Sequence, residues 1–202
     1  MAKRQTDQQQ RKGRARSGTT RVTDLRRRVS TREQRQTILA VTNDKSTERD
    51  YLEGLRRVPW LAHRLVVAVE KGSPIDAVRG AARRRDESDF DQAYVICDVD
   101  HYPPELSERE ARHHAVTLLW SNPCFEVWLI LHLDLCTRYL EDAKRAEALL
   151  RKQLPHWDKT KLDFDDFRKG IEAAIGRAQT LPPPPAANPS TAVWRLALAL
   201  RG

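Results

Sequence analysis

Four short apolar runs in the first 120 residues constrain the fold more than any other feature of this sequence. Each run holds five or six residues and is rich in Val, Ile, Leu and Ala, a pattern typical of strands buried on both faces. Segments with apolar residues at helical spacing separate the runs. This alternation predicts an α/β domain with a mostly parallel four-stranded sheet flanked by helices. The runs are residues 37–42, 64–69, 93–97 and 115–120.

The remaining segments predict helices and a connector. A helix over 46–57 has Tyr51, Leu52 and Leu55 on one face, and Ser46 is a candidate N-cap. Four consecutive prolines at 182–185 predict a stiff extended connector. We expect three parts: a tail at 1–36, the α/β domain with a helical extension at 37–180, and the connector with a short helix at 181–202. The other predicted helices are 75–85, 106–114, 124–132, 139–154, 164–179 and 191–200.

The net charge of +8 is concentrated in the tail. Residues 1–36 hold 12 of the 36 Lys and Arg but 3 of the 28 Asp and Glu, a local charge of +9 that leaves −1 for the rest. Few apolar residues offset its ordering entropy, so we expect much of the tail to be mobile. It is either an arm for nucleic-acid phosphates or a solubilising leader. The candidate phosphate-binding residues are Arg11, Lys12, Arg14, Arg16, Arg26, Arg27 and Arg28.

Several classes of protein are excluded by what the sequence lacks. No run of about 18 apolar residues is present, so we expect no membrane-spanning helix. The N-terminus has no apolar signal core, and the three cysteines form no CxxC pair, which favours a reduced, cytoplasmic protein. A Gly-rich phosphate loop with lysine is also absent, so we do not expect nucleotide hydrolysis by this chain.

Polar side chains follow three of the predicted strands, where parallel strands would bring them to one shared cleft. Asp98 and Asp100 follow the third strand, and their i, i+2 spacing points both carboxylates to one face. Such a pair repels unless a cation lies between the carboxylates or one is protonated. Mg²⁺ is commonly held by one or two carboxylates together with substrate phosphates. The pair therefore indicates a metal site, with a solvated loop as the alternative.

Three more residues have both a functional and a structural interpretation. Glu48 is a site candidate, or an acid that complements the dipole of its helix. Glu126 interrupts an apolar helix, where a buried carboxylate needs a cation, a metal or several donors. His132, on the same helix, is a candidate site residue or a hydrogen-bonded core histidine.

Four segments together resemble RloB-like proteins. The most specific is residues 121–132, SNPCFEVWLILH, which is similar to the family stretch SNPCFExWLLLH. The others are individually weak, but together the four segments span nearly the whole body that follows the tail. They are ILAV with STERDYL (38–52), DVDH (98–101) and NPST (188–191).

This resemblance implies a fold and a function. RloB-like proteins resemble Toprim nucleases, which have a four-stranded parallel sheet, bind Mg²⁺ and carry out phosphodiester chemistry. They are associated with bacterial defence loci, commonly next to an ATPase. By position, Asp98 and Asp100 would be ligands of Mg²⁺ or Mn²⁺, and Glu126 and His132 would line the site.

The sequence departs from the family pattern after the first strand. Where the family has a Glu-Gly pair, five residues before the position of Glu48, this chain has Asn43 and Asp44. An asparagine offers a neutral oxygen or an NH₂ donor but no base and no negative charge. Three explanations stay open: the acid has moved to Asp44 or Glu48, the chain is an inactive variant, or the site binds metal or nucleic acid without cleavage.

Three functional hypotheses follow. The first is a metal-dependent nuclease of phage defence, in the manner of abortive infection, acting on tRNA, other RNA or DNA. The second is a catalytically silent module that binds nucleic acid or regulates a partner. The third is an interaction subunit for an ATPase, docked through the helical C-terminal half. The sequence leaves the formation of a homo-oligomer open.

Overall fold

A sheet of four parallel strands, extended by one short antiparallel strand, forms the centre of the protein. The computed structural model describes residues 35–43, 47–99 and 102–202. Within these ranges the strands are β1 (Thr37–Thr42), β2 (Arg64–Val69), β3 (Gln92–Asp98), β4 (Thr117–Asn122) and β5 (Ser190–Thr191). Their spatial order is β2-β1-β3-β4-β5, and among these five strands only β5 is antiparallel to its neighbour. The predicted α/β fold is therefore confirmed.

Helices cover both faces of the sheet, which explains why the strands are apolar throughout. The helices are α1 (Thr47–Leu55), α2 (Pro74–Ser88), α3 (Pro104–His113), α4 (Glu126–Leu133), α5 (Ala143–Gln153), α6 (Asp165–Arg168), α7 (Ile171–Thr180) and α8 (Trp194–Ala199). Alternate residues of β1 point to opposite faces of the sheet. Ile38 and Ala40 join the core built with α1, α4 and the C-terminal helices, whereas Leu39 and Val41 pack with α2 and α3.

The predicted helix over 164–179 is wrong as one helix, because the chain breaks between α6 and α7. Gly170 at the break lies against α4: a Cβ there would stand 2.4 Å from the backbone oxygen of His132. The predicted helix over 139–154 starts late, at Ala143, where the side chain of Asp142 accepts a hydrogen bond from the Arg145 backbone N–H. A tertiary contact at Gly170 accounts for the first boundary and a local N-cap at Asp142 for the second, and helical periodicity predicts neither.

The C-terminal segment also differs from its prediction. Residues 182–185 are not a straight extended connector, since the chain turns at 184–186. The predicted helix over 191–200 begins only at Trp194, because Ser190 and Thr191 form β5 and pair with β4. Buried side chains of α8, among them Leu196, then join the same core as α4 and α7.

Two sets of sequence expectations concern parts of the chain outside the described residues. The first set is the candidate phosphate-binding residues of the tail. The second set is the predicted helix cap Ser46 and the site candidates Asp44 and Asp100. Among the helices of the described ranges, the structure shows none with the length and apolar character needed to cross a membrane.

Two helical glycines provide a matched test of the packing. A Cβ on Gly54 of α1 would lie 2.2 Å from Cγ of Phe164, whereas a Cβ on Gly176 of α7 would meet nothing within 4 Å. We expect Gly54→Ala to lower the free energy of unfolding by about 2 kcal/mol or more through overpacking. Gly176→Ala should raise it by about 0.5–1 kcal/mol through helix propensity. Urea denaturation of both variants measures the difference, and a Gly54→Ala protein as stable as Gly176→Ala would contradict this packing.

Candidate active site

Three carboxylates cluster at the edge of the sheet where the parallel strands end. Glu48 is the second residue of α1, Asp98 is the last residue of β3, and Glu126 is the first residue of α4. Glu48 is 7% exposed and Glu126 only 2%. Asp98 is half-buried, yet its Oδ1 is fully enclosed and has no hydrogen-bond partner among the described residues. The topology thus brings together three of the predicted site residues, as parallel strands require.

Burial and electrostatic repulsion together disfavour a negative charge on Asp98. Burial raises the pKa of Asp98 well above its usual value, and the negative charges of Glu48 and then Glu126 raise it further. Lys159 and a hydrogen bond from the backbone of Phe125 act in the opposite direction but do not compensate. The site therefore favours a proton or another cation at Asp98.

Lys159 is the cation that the fold itself supplies. Its Nζ lies 3.0 Å from Oε1 of Glu147 on α5 and 3.5 Å from Oε1 of Glu126. Partial burial lowers the pKa of Lys159, but the two carboxylates outweigh it and the pKa is raised, so the ammonium stays charged. The backbone oxygen of Lys159 accepts a hydrogen bond of 3.2 Å from the hydroxyl of Thr47, beside Glu48.

Two cysteines border the cluster without contributing a nucleophile. Burial, followed by the nearby carboxylates, raises the pKa of both Cys97 and Cys124. The Cys124 thiol also hydrogen-bonds to the side chain of Glu126, which supplies that buried carboxylate with a donor. A thiol nucleophile requires a lowered pKa, so these side chains act as small core residues.

The chemistry of the donor set fits a hard divalent cation. Carboxylate oxygens are the ligands that Mg²⁺ prefers, and the enclosed Oδ1 of Asp98 is an acceptor without a donor. In the described ranges, no three His, Cys, Asp or Glu side chains converge closely enough to hold a metal ion by themselves. The residues present therefore fit an ion held by one or two carboxylates, with its remaining ligands from water or substrate.

Asn43 stands at the same edge of the sheet as Asp98. It directly follows Thr42, which lies opposite Ile96 in the register of β1 and β3, so it occupies the edge one strand away from the carboxylate. It is half-buried. Asn43 is therefore placed where an acidic side chain would add negative charge to the cluster.

Comparison with known proteins identifies the family. The family model described as RloB-like protein matches residues 38–200. The chain belongs to the RloB-like protein family. Neither the search of curated proteins nor that of solved structures found a match. The RloB-like match reaches from the second residue of β1 to the end of α8.

In this RloB-like protein, two family-like segments, SNPCFEVWLILH (121–132) and NPST (188–191), lie together in space. The hydroxyls of Ser121 and Thr191 share a hydrogen bond of 2.8 Å across β4 and β5. The side-chain amide of Asn188 donates to the backbone oxygen of Leu140 and to Oδ1 of Asn122, while its own oxygen accepts from the Leu140 N–H. The NPST segment thus fixes the end of β4, whose Ser121 pairs with Asp98 in the sheet.

His132 lies in the aromatic core of this RloB-like protein. Its Nδ1 hydrogen-bonds to the backbone oxygen of Phe167 at 2.7 Å, and its Nε2 to the hydroxyl of Tyr51 at 3.1 Å. Burial lowers the pKa of His132 to about 4, although the bond to Phe167 opposes this. A carbonyl oxygen can only accept a hydrogen bond, so Nδ1 carries the proton and donates to Phe167, while Nε2 accepts from the hydroxyl of Tyr51. This placement favours the core histidine among the alternatives, and a catalytic role of His132 stays a prediction.

The buried histidine predicts a specific pH dependence of stability. The pKa of His132 falls from 6.5 to about 4 on folding, so the unfolded chain binds its proton first as the pH is lowered. The stability that neutral His132 contributes to the folded state is fully present above pH 6.5. As the pH falls from 6.5 to 4, this effect lowers the free energy of unfolding by on the order of 3 kcal/mol. Urea denaturation at several pH values should show this loss reduced in His132→Gln but unchanged in His113→Gln, an exposed control. Equal pH profiles for the wild type and His132→Gln would contradict the assignment.

Proposed function

We propose that this RloB-like protein is a nuclease dependent on Mg²⁺ or Mn²⁺, which cleaves RNA or DNA phosphodiester bonds in a bacterial anti-phage defence system. The observation that supports the proposal is the cluster of Glu48, Asp98 and Glu126, three carboxylates at the carboxyl edge of a parallel sheet. The enclosed, unpartnered Oδ1 of Asp98 lies within it. The resemblance of RloB-like proteins to Toprim nucleases adds to this support.

Asp98 would hold the cation, with Glu48 or Glu126 as a second oxygen ligand. When bound, the ion supplies Lewis acidity that neutralises the charge developing on a phosphoryl group. Glu126 is held in place by Lys159 and Cys124. Because Lys159 also contacts Glu147, its ammonium connects the cluster to α5 and limits the repulsion between the buried acids.

Glu48 is the described residue best placed to replace the missing acid of β1. It is buried at the start of α1, and its charge reaches Asp98 strongly enough to raise the pKa of that group. Asn43, at the end of β1, brings no charge to a metal and accepts no proton. We therefore propose that Asn43 positions the substrate or water through its amide while Glu48 supplies the carboxylate.

A second candidate is supported by Asn43 itself. A neutral side chain at this edge of the sheet favours a catalytically silent protein that binds nucleic acid or serves as the partner subunit of an ATPase in the same kind of defence system. This candidate uses the basic tail of residues 1–36 for binding and needs no turnover.

The metal site is tested by one variant with three readouts: stability without metal, the effect of Mn²⁺ on the melting temperature, and cleavage. Without metal, Asp98→Asn should be at least as stable as the wild type, because it removes a carboxylate whose charge the site disfavours. With Mn²⁺, the melting temperature should rise for the wild type but not for Asp98→Asn, since binding to the folded state stabilises it. Asp98→Asn should cleave labelled tRNA, single-stranded RNA or DNA about 100-fold or more slowly than the wild type. The exposed Asp86→Asn is the matched control.

The outcomes separate the two candidates. Cleavage and a Mn²⁺ shift that both survive in Asp98→Asn would contradict the proposed site. Binding of nucleic acid without cleavage by the wild type favours the silent candidate, and Asn43→Glu should then create cleavage. That second variant returns the acid to the position where the family carries it.

A further inference from the structure

A basic cleft with an exposed tyrosine lies beside α5, and the proposed chemistry does not use it. Its volume is about 630 Å³. We call it the Tyr139 cleft and define it by the residues that line it: Arg138, Tyr139, Leu140 and Glu141 before α5, and Arg145, Ala148, Leu149 and Lys152 on α5.

The charges of the Tyr139 cleft favour an anion. Its lining holds three cations and one acid, Glu141, which lies 3.9 Å from Arg145 in an ion pair with both side chains more than 70% exposed. Such an exposed pair contributes little. Arg138 and Lys152 are exposed and have no acidic partner among the described residues. The side chains of Arg138 and Lys152 are therefore available to contact phosphate.

Tyr139 gives the cleft an aromatic surface. Its ring is 71% exposed, compared with 36–48% for the other exposed large apolar side chains of the described ranges. An exposed ring between cations matches a nucleotide, because a base stacks on the ring while the backbone phosphates contact the cations. A duplex keeps its bases stacked inside, so the ring suits an unpaired strand.

The Tyr139 cleft is connected to the carboxylate cluster through two structural elements. The backbone of Leu140, which lines the cleft, is hydrogen-bonded to the side chain of Asn188. Asn188 also donates a hydrogen bond to Asn122 at the end of β4. On α5, Arg145 and Lys152 line the cleft, whereas Glu147 contacts Lys159, the cation of the cluster. The same elements that position the candidate site thus also position the cleft.

We propose that the Tyr139 cleft binds one unpaired nucleotide of a single-stranded nucleic acid. The base stacks on Tyr139, and Arg138 and Lys152 contact the adjoining phosphates. The lining of the cleft includes no residue of the carboxylate cluster, so the two sites would contact different parts of the strand. This inference rests on the proposed function in that nucleic acid is the substrate, but it requires no cleavage.

Binding and crosslinking in EDTA test the inference on the full-length chain. The probes are fluorescein-labelled single-stranded RNA and DNA of 12 nucleotides, each with one 5-iodouracil for photocrosslinking to an aromatic side chain. Tyr139→Ala should weaken binding by about tenfold and remove the crosslink from the peptide that contains residue 139. Tyr139→Phe should retain both. Trp60→Ala, which removes an exposed ring outside the cleft, is the matched control.

The salt dependence tests the phosphate contacts separately. Arg138→Ala should reduce the slope of log affinity against log salt by about 0.7, the value for one single-strand phosphate contact. Arg109→Ala, an exposed arginine on α3, should leave the slope unchanged. Equal slopes for Arg138→Ala and the wild type would contradict the phosphate contact.

The results distinguish this inference from the proposed nuclease. Unchanged affinity and crosslinking in Tyr139→Ala would overturn the inference, even where Asp98→Asn abolishes cleavage. A crosslink to Tyr139 with RNA or DNA, in a protein that cleaves neither, supports the inference while the nuclease proposal falls. The arm with the stronger crosslink identifies the sugar that the cleft prefers.

Discussion

Repulsion between buried carboxylates is the constraint on which this structure depends. Three acids at the end of a parallel sheet cannot all stay charged at low cost unless cations stand nearby. The fold supplies Lys159 against Glu126, and this leaves Asp98 with a raised pKa and an enclosed oxygen without a donor. Apolar side chains at these three positions would avoid the cost of burying the charges. We propose that a ligand that brings positive charge accounts for the presence of the three acids.

The architecture around the cluster serves to keep it assembled. β1 and β3 lead to Asn43 and Asp98, and β4 leads into α4 and Glu126. The C-terminal segment then returns to the sheet, where Asn188 and β5 fix the end of β4. Positions more than a hundred residues apart along the chain, such as Thr47 and Lys159, therefore meet beside one site. The C-terminal segment completes the edge of the sheet that carries the proposed chemistry.

Much of the fold could be predicted from the sequence because its strands are buried on both faces. The bounds of β1 and β2 agree with the apolar runs, since nothing polar interrupts them. Proximity of Glu48, Asp98 and Glu126 follows from the rule that parallel strands end at one edge. Glu126 was recognisable as a buried acid because it stands alone in an apolar helix.

The rest depends on contacts that local sequence does not encode. No pattern near Lys159 marks it as the partner of Glu126, because the pairing arises only when α5 and the loop after it fold back over α4. At the break, the backbone of Gly170 packs closely against His132, a contact that only a residue without a Cβ allows. Periodicity alone predicts one continuous helix there. The sequence leaves His132 as either a site residue or a core histidine. Only the fold shows that Tyr51 and Phe167 form hydrogen bonds with both of its ring nitrogens.

The central claim is that the carboxylate cluster holds a divalent cation through Asp98. Anomalous diffraction from crystals of the full-length protein soaked in Mn²⁺ tests it most directly. We expect a manganese peak within ligand distance of Oδ1 of Asp98, where Glu48 or Glu126 would supply a further oxygen ligand. Manganese bound elsewhere on the protein, with no peak at Asp98, would contradict the account.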